Sequence, residues 1–148
     1  MTTGTVKVGH ETKDFEQSSI TDQSHNSWEA SITWQPVSYS TVTLTTQSGI
    51  AEGSVSENYI DTTKADINWE HAWTPLVGTE IELAAIDEDY SNAINREDNT
   101  FKIKAEIRYL FRRWLTATMG VSHSDRNSNV PVRSYDDNVI TLGLEVSL

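Results

Sequence analysis

The chain has 148 residues, enough for one domain, and its formal net charge of -11 with a pI near 4.6 argues against binding of nucleic acid. It contains no cysteine, which excludes disulfide frameworks, thiolate metal sites and cysteine nucleophiles. No segment approaches the roughly 18 consecutive apolar residues of a membrane-spanning helix, but strands that cross a membrane need an apolar residue only at every second position.

Alternation of apolar and polar residues predicts eight β-strands, each with one apolar face. The positions between the apolar residues are mostly polar or charged, so the second face of each strand must contact water or a polar lumen. In chain order, the apolar positions of the eight strands are Val6 and Val8; Trp28, Ala30, Ile32 and Trp34; Val42 and Leu44; Ala65, Ile67, Trp69 and Trp73; Ile81, Leu83 and Ala85; Phe101, Ile103, Ala105, Ile107, Tyr109 and Phe111; Leu115, Ala117, Met119 and Val121; Ile140, Leu142, Leu144, Val146 and Leu148.

The predicted connections alternate in length. Short ones span residues 36–40, 74–78 and 110–114, and long polar ones span residues 13–26, 51–64, 87–100 and about 124–137. Short turns on one side of the membrane and long loops on the other are typical of outer-membrane barrels. The segment Trp34-Gln35-Pro36 precedes Leu44 as Trp73-Thr74-Pro75 precedes Leu83, an echo with a period near 39 residues that makes one hairpin the repeating unit.

Two further features favour a membrane barrel over a soluble β-sandwich, whose strands also alternate. Aromatic residues that we expect at the membrane interface are Trp28, Trp34, Tyr39, Trp73, Tyr109, Phe111 and Trp114. The last strand is apolar at alternate positions up to the final residue, a pattern that the barrel assembly machinery recognises; these positions are Ile140, Leu142, Leu144, Val146 and Leu148. We therefore predict an all-β fold over residues 1–148, an antiparallel up-and-down transmembrane β-barrel of about eight strands in the outer membrane of a Gram-negative cell.

Charged residues in the middle of the predicted strands are candidates for the lining of the lumen. They are Glu70, Glu80, Glu82, Lys102, Lys104, Glu106 and Arg108. In a narrow eight-stranded barrel such side chains would form a salt-bridged plug, because that diameter is just filled by side chains. In a larger barrel they would line an aqueous path and select the polar solutes or glycan chains that pass.

The sequence has no catalytic or phosphate-binding motif, and we predict a protein that is not an enzyme and has no cofactor or metal. The histidines, His10, His25, His71 and His123, are scattered over four segments and are interpreted as surface or interface residues. His123, Ser124 and Asp125 are adjacent and so point to alternate faces, which excludes a catalytic triad. The acidic cluster at residues 87–89 is expected in a solvated loop, where it could bind divalent cations beside lipopolysaccharide.

Several segments resemble a known family, the β-barrel porin 2 or EpsL-like outer-membrane proteins associated with exopolysaccharide operons. The segments are TGTVKVGH at 3–10 with KDF at 13–15, SWEASITWQP at 27–36 with YS at 39–40, DYSN at 89–92, SDRNS at 124–128 and YDDN at 135–138. Members of the family are longer, with about twice as many strands, so the chain resembles their carboxy-terminal part. It departs from them at Leu148, where an aromatic residue is usual. The amino terminus has no secretory signal, which predicts a mature form or a fragment.

Three functional hypotheses follow. The resemblance implies a porin-like barrel that serves exopolysaccharide export or secretion, with outer-membrane lipid, lipopolysaccharide, the barrel assembly machinery and the polysaccharide as partners. The second hypothesis is a closed structural or adhesive eight-stranded barrel whose acidic loops contact partners outside the cell. The third is a soluble extracellular β-sandwich that binds glycans through exposed Trp28, Trp34 or Trp69.

Overall fold

The described residues form one antiparallel sheet of eight strands, in which strands that are consecutive in the chain are paired. This computed structural model describes residues 1–13, 23–52, 59–91 and 95–147. The strands are β1 (Thr2–Lys13), β2 (Gln23–Val37), β3 (Ser40–Glu52), β4 (Tyr59–Ala72), β5 (Val77–Tyr90), β6 (Arg96–Arg112), β7 (Leu115–Ser128) and β8 (Tyr135–Val146), and a 3-10 helix, Pro131–Arg133, precedes β8. Among the described residues, no helix is long and apolar enough to cross a membrane.

The strand register places the apolar positions of all eight strands on one side of the sheet, here called the apolar face. One continuous row of direct cross-strand partners is Trp34, Val42, Trp69, Ile81, Ala105, Val121 and Ile140. The opposite side, the polar face, carries the residues between them. Because a shift of one residue would exchange the two faces of a strand, this alternation excludes register shifts by an odd number of residues.

In its described residues the sheet has almost no buried apolar core. Among the described residues, the apolar side chains that are buried are Ala84 and Tyr90, whereas most residues of the apolar face are exposed. A β-sandwich would cover one face of each sheet with the other sheet. All eight strands belong to a single sheet here, so the alternative prediction of a sandwich is wrong and the prediction of an all-β, up-and-down antiparallel sheet is confirmed.

The strands continue well into the segments predicted as long loops. β5 extends to Tyr90 and β6 begins at Arg96, so most of the predicted loop at 87–100 is paired strand, and β7 and β8 likewise extend into 124–137. Polar residues on both faces suggested a loop, but the cross-strand ladder satisfies the backbone hydrogen bonds whatever the side chains are. A strand needs about 9–11 residues to cross a bilayer, so the 17 residues of β6 reach beyond it.

The three predicted short turns are confirmed and are tighter than expected. β2–β3 and β6–β7 are joined by two residues each, and a register shift precedes each turn, at Trp34/Val37 and Leu110/Arg112. Such bulges increase the local twist and allow the strands to meet. In the β4–β5 turn, the Thr74 hydroxyl accepts hydrogen bonds from the backbone N–H groups of Leu76 (3.2 Å) and Val77 (3.0 Å).

The two outer strands leave the sheet open. β1 pairs with β2 and β8 pairs with β7, and within the described residues β1 and β8 are not partners of each other. The exposure of side chains on the apolar face agrees with an open edge. Leu142 on β8, which has a neighbouring strand on one side, is 77% exposed, whereas its partner Met119 on β7 is 52% exposed. Each edge therefore presents a row of backbone groups that a neighbouring strand could pair with.

Candidate functional site: the polar face

All seven residues predicted to line a lumen lie on the polar face, on three adjacent strands. Glu70 is on β4, Glu80 and Glu82 are on β5, and the remaining four are on β6: Lys102, Lys104, Glu106 and Arg108. The register brings them into one patch in the centre of the sheet. Whether this face encloses a lumen stays a prediction, whereas their position on a common face is a direct consequence of the period of two.

Three carboxylates form a row across the patch. Glu70 is the direct partner of Glu80, and Glu80 is the direct partner of Glu106. Like charges directly opposite each other in a sheet are destabilising. Two neighbours reduce this cost, since the Asn68 side-chain amide donates a hydrogen bond to Glu80 Oε1 (2.7 Å) and Lys104 Nζ lies 3.4 Å from Glu106 Oε2.

Basic residues elsewhere on the polar face are mostly paired. Lys7 Nζ lies 3.0 Å from Glu29 Oε1, and Lys64 Nζ lies 3.1 Å from Asp66 Oδ1. Lys102 differs from these, because its direct cross-strand partners are the short residues Ala84 and Ser124. In the described part of the chain no carboxylate lies within ion-pairing distance of Lys102, which leaves its ammonium group available to a ligand.

An ion network that the sequence did not predict lies at the end of the polar face nearest to the predicted long loops, here called the loop end. Asp98 is completely buried and is bound by Arg96, whose Nε lies 3.0 Å from Asp98 Oδ1, and by Arg126, whose Nη1 lies 3.4 Å from Asp98 Oδ2. Arg126 also donates to Glu88 Oε2 (3.1 Å) and to Thr100 Oγ1 (3.0 Å). The network thus joins β5, β6 and β7.

Two tyrosine rings and a serine complete this network. The Arg96 guanidinium lies 3.8 Å from the centre of the Tyr90 ring, and that of Arg126 lies 5.4 Å from the Tyr135 ring. Asp98 precedes Phe101 by three residues, and Phe101 is the residue of the apolar face of β6 that lies nearest to the loop end. Asp98 therefore lies outside the apolar band. Burial alone would raise the pKa of Asp98, but hydrogen bonds from Arg96 and Ser128 and the charges of both arginines outweigh it and lower this pKa.

Short side chains along β7 leave a trough in the polar face. Ser124 of β7 lies between Lys102 of β6 and Asp137 of β8, and Ser122 lies between Lys104 and Val139, while Tyr135 of β8 is the partner of Arg126. The trough is a cavity of about 320 Å³ lined by the two serines, the two lysines, Tyr135, Asp137 and Glu82. Ser124 Oγ is buried and has no hydrogen-bond partner among the described residues. The Arg126 network lies at the loop end of the trough.

Most of the aromatic residues predicted at the membrane interface lie near the short turns. Trp34, Tyr109 and Phe111 are on the apolar face, and Tyr39, Trp73 and Trp114 are in the turns. Trp28 is on the same face but six residues further along β2 from Trp34, towards the loop end. It therefore cannot belong to the same girdle as Trp34.

His71 forms an aromatic cluster beside the turns that the sequence analysis did not foresee. Its ring lies 4.2 Å from that of Trp73 and 5.5 Å from those of Tyr39 and Trp69, and its Nδ1 is buried without a hydrogen-bond partner in the described structure. The signal was present in the alternation of Trp69, His71 and Trp73, which puts all three on one face. His71 therefore lies on the apolar face among these aromatic residues, although its imidazole ring is polar.

Four of the five residues predicted as an assembly signal form the outer row of β8, namely Ile140, Leu142, Leu144 and Val146, and all are exposed. Leu148 lies outside the described residues. Their recognition by the assembly machinery stays a prediction.

The polar groups towards the loop ends of the strands are divided between the two faces. Glu88 points to the polar face and binds Arg126, whereas Asp87 and Asp89 point to the other side, so the predicted acidic cluster is not one site. His123 and Asp125 likewise lie on the opposite face from Ser124. Within the described ranges, no group of three or more His, Asp or Glu side chains is placed to hold a metal ion.

Comparison with known proteins identifies the family. A family model described as "Putative beta-barrel porin 2" matches residues 1–148, the whole chain. The protein belongs to this family. Membership supports a porin-like β-barrel, a class of protein that is found in outer membranes. No curated protein and no solved structure matches the chain. The resemblance stated from the sequence is thereby confirmed at the level of the porin family.

Proposed function

We propose that this beta-barrel porin 2 protein forms a non-enzymatic path through the outer membrane and that the path serves export or secretion of an exopolysaccharide. The observation that supports it best is the polar face, which carries charged residues in the middle of β4, β5 and β6 where the opposite face is apolar. Lipid covers the apolar face of a barrel, and the polar face then lines water. Outer-membrane lipid, lipopolysaccharide, the barrel assembly machinery and the polysaccharide are the partners in this proposal.

The open edges favour a barrel larger than eight strands. Unpaired backbone groups are not tolerated in hydrocarbon, where each costs several kcal/mol, so β1 and β8 must pair when the sheet is embedded. Side chains just fill an eight-stranded barrel, and β1 and β8 remain apart in the described structure. We propose that further strands separate them in the membrane, as expected if the chain is the carboxy-terminal part of a longer barrel.

Conductance in planar lipid bilayers tests the proposal. We expect an open channel, and Lys104→Gln or Arg108→Gln should shift its selectivity towards cations, since each removes a positive charge from the path. Asp125→Asn is the matched control: it also changes one charge, but its side chain is on the opposite face and should leave selectivity unchanged. Fragments of exopolysaccharide added to one side should interrupt the current for as long as a chain occupies the path.

Three results would contradict parts of this proposal. A bilayer that stays closed would favour the alternative of a closed structural or adhesive eight-stranded barrel, whose acidic loops would contact partners outside the cell. Equal selectivity in all variants would remove the assignment of Lys104 and Arg108 to the path. If polysaccharide fragments never interrupted the current, the proposal of a porin would stand and the proposal of polysaccharide export would fail.

A further inference from the structure

We infer that the trough along β7 is a binding subsite for an acidic sugar unit of a glycan chain, with Lys102 as the residue that selects the acidic substituent. The inference rests on the proposed path through the polar face and names the chemistry of one place within it. The trough is lined by Glu82, Lys102, Lys104, Ser122, Ser124, Tyr135 and Asp137, with Ile103 and His123 as neighbouring strand residues.

The size of the trough suits a single sugar unit of a glycan chain. Its floor consists of the serines of β7, and its walls are the longer side chains of β6 and β8. The cavity of about 320 Å³ falls at the lower end of the range for ligand pockets in proteins. A sugar unit in it would lie over the serines of β7, next to the Arg126 network.

The polar groups in the trough suit a sugar. Ser124 Oγ is buried without a partner among the described residues, and a sugar hydroxyl could donate to it or accept from it. The carboxylates of Glu82 and Asp137 can accept hydrogen bonds from further hydroxyls. Tyr135 is 44% exposed, which leaves part of its ring free for contact with the apolar side of a sugar ring.

Lys102 gives the site its preference for an acidic unit. Lys104 is close to Glu106 and is the register partner of Glu82, so its charge is largely compensated. Lys102 faces Ala84 and Ser124 and is exposed, and no carboxylate within the described residues neutralises it. A carboxylate on the ligand would form a charge-assisted hydrogen bond with this ammonium group.

Binding of short oligosaccharides to the detergent-folded chain, measured by isothermal titration calorimetry, tests the inference. The probes are an oligouronate and a neutral oligosaccharide of equal length. Lys102→Gln should weaken oligouronate binding about tenfold, the usual effect of losing a hydrogen bond to a charged group, and leave the neutral probe unaffected. Tyr135→Leu should weaken binding of both probes by about threefold to tenfold.

Lys7→Gln is the matched control, because it also removes a lysine charge from the polar face but lies on β1, where Glu29 pairs with it. It should bind both probes as the unchanged protein does. Absence of oligouronate binding, equal affinity for both probes, or equal loss in the Lys102→Gln and Lys7→Gln variants would overturn the inference. Lys102-dependent binding in a protein that does not conduct would keep the subsite and remove the proposed path. Conductance without such binding would keep the proposed path and remove the subsite.

Discussion

The buried carboxylate of Asp98 shows how much one residue can contribute to this sheet. It accepts hydrogen bonds from Arg96, and Arg126 lies within ion-pair distance. A buried ion pair contributes little net stability relative to apolar residues, but removal of one partner leaves uncompensated charges, which is costly. Asp98 therefore holds two guanidinium groups that would otherwise repel each other at the loop end of the polar face.

Asp98→Ala should lower the free energy of unfolding by about 3–5 kcal/mol, because Arg96 and Arg126 lose their shared counter-ion. The measurement is urea-induced unfolding from lipid vesicles, followed by tryptophan fluorescence. Glu29→Ala is the control, since it breaks the exposed pair with Lys7 and should cost at most about 1 kcal/mol. Equal losses in the two variants would show that the Asp98 network is no tighter than a surface ion pair.

Single strands show the division between lipid and polar surroundings most clearly at β8. Thr141 and Leu142 are adjacent, both are exposed, and they point to opposite faces of an edge strand. A charge at Leu142 would have to enter hydrocarbon, whereas a charge at Thr141 would stay in the polar surroundings of the other face.

Leu142→Arg should therefore destabilise the membrane-inserted protein by about 2–4 kcal/mol, and Thr141→Arg should be close to neutral. The fraction of protein that stays folded in gel electrophoresis of unheated samples, after incorporation into vesicles, measures this difference in stability. If Thr141→Arg proved the more damaging substitution, the apolar and polar faces would have to be exchanged.

The strands and their faces could be predicted from the sequence, but several contacts between strands could not. The alternation on β6 from Phe101 to Phe111 is continuous, and hence it determined both the strand and the residues on each face. The same signal failed beyond Phe101, where Asp98 and Asn99 are both polar although one points inward and one outward. The Arg96, Asp98 and Arg126 network and the trough depend on the register between strands, which the pattern within one strand does not give.

In its described residues the whole molecule is a single sheet of consecutive hairpins, whose outer strands β1 and β8 each have one unpaired edge. The amides of β1 and β8 that point away from the sheet have no cross-strand partner in the described structure, whereas the amides of β4, β5 and β6 pair on both sides. In the isolated chain we expect hydrogen exchange at these outward-directed amides to be fast and exchange in the three central strands to be slow.

Hydrogen exchange of the detergent-folded chain, resolved to single amides by NMR, checks this. Alternate fast and slow amides along β1 and β8 are the expected result. Uniform protection along both strands would mean that they pair with each other and that the chain closes as an eight-stranded barrel. In that case the plug interpretation of the polar face would replace the open path.

Within the described residues each strand pairs only with its neighbours in the chain, so a wall of this kind can grow by local additions. The 39-residue echo between the β2–β3 and β4–β5 hairpins, with Leu44 and Leu83 in matching positions, fits duplication of such a unit. An inserted or lost hairpin changes the circumference by two strands and leaves the pairing elsewhere intact. Relatives can thus widen or narrow their opening over evolutionary time without having to redesign the strands that they already have.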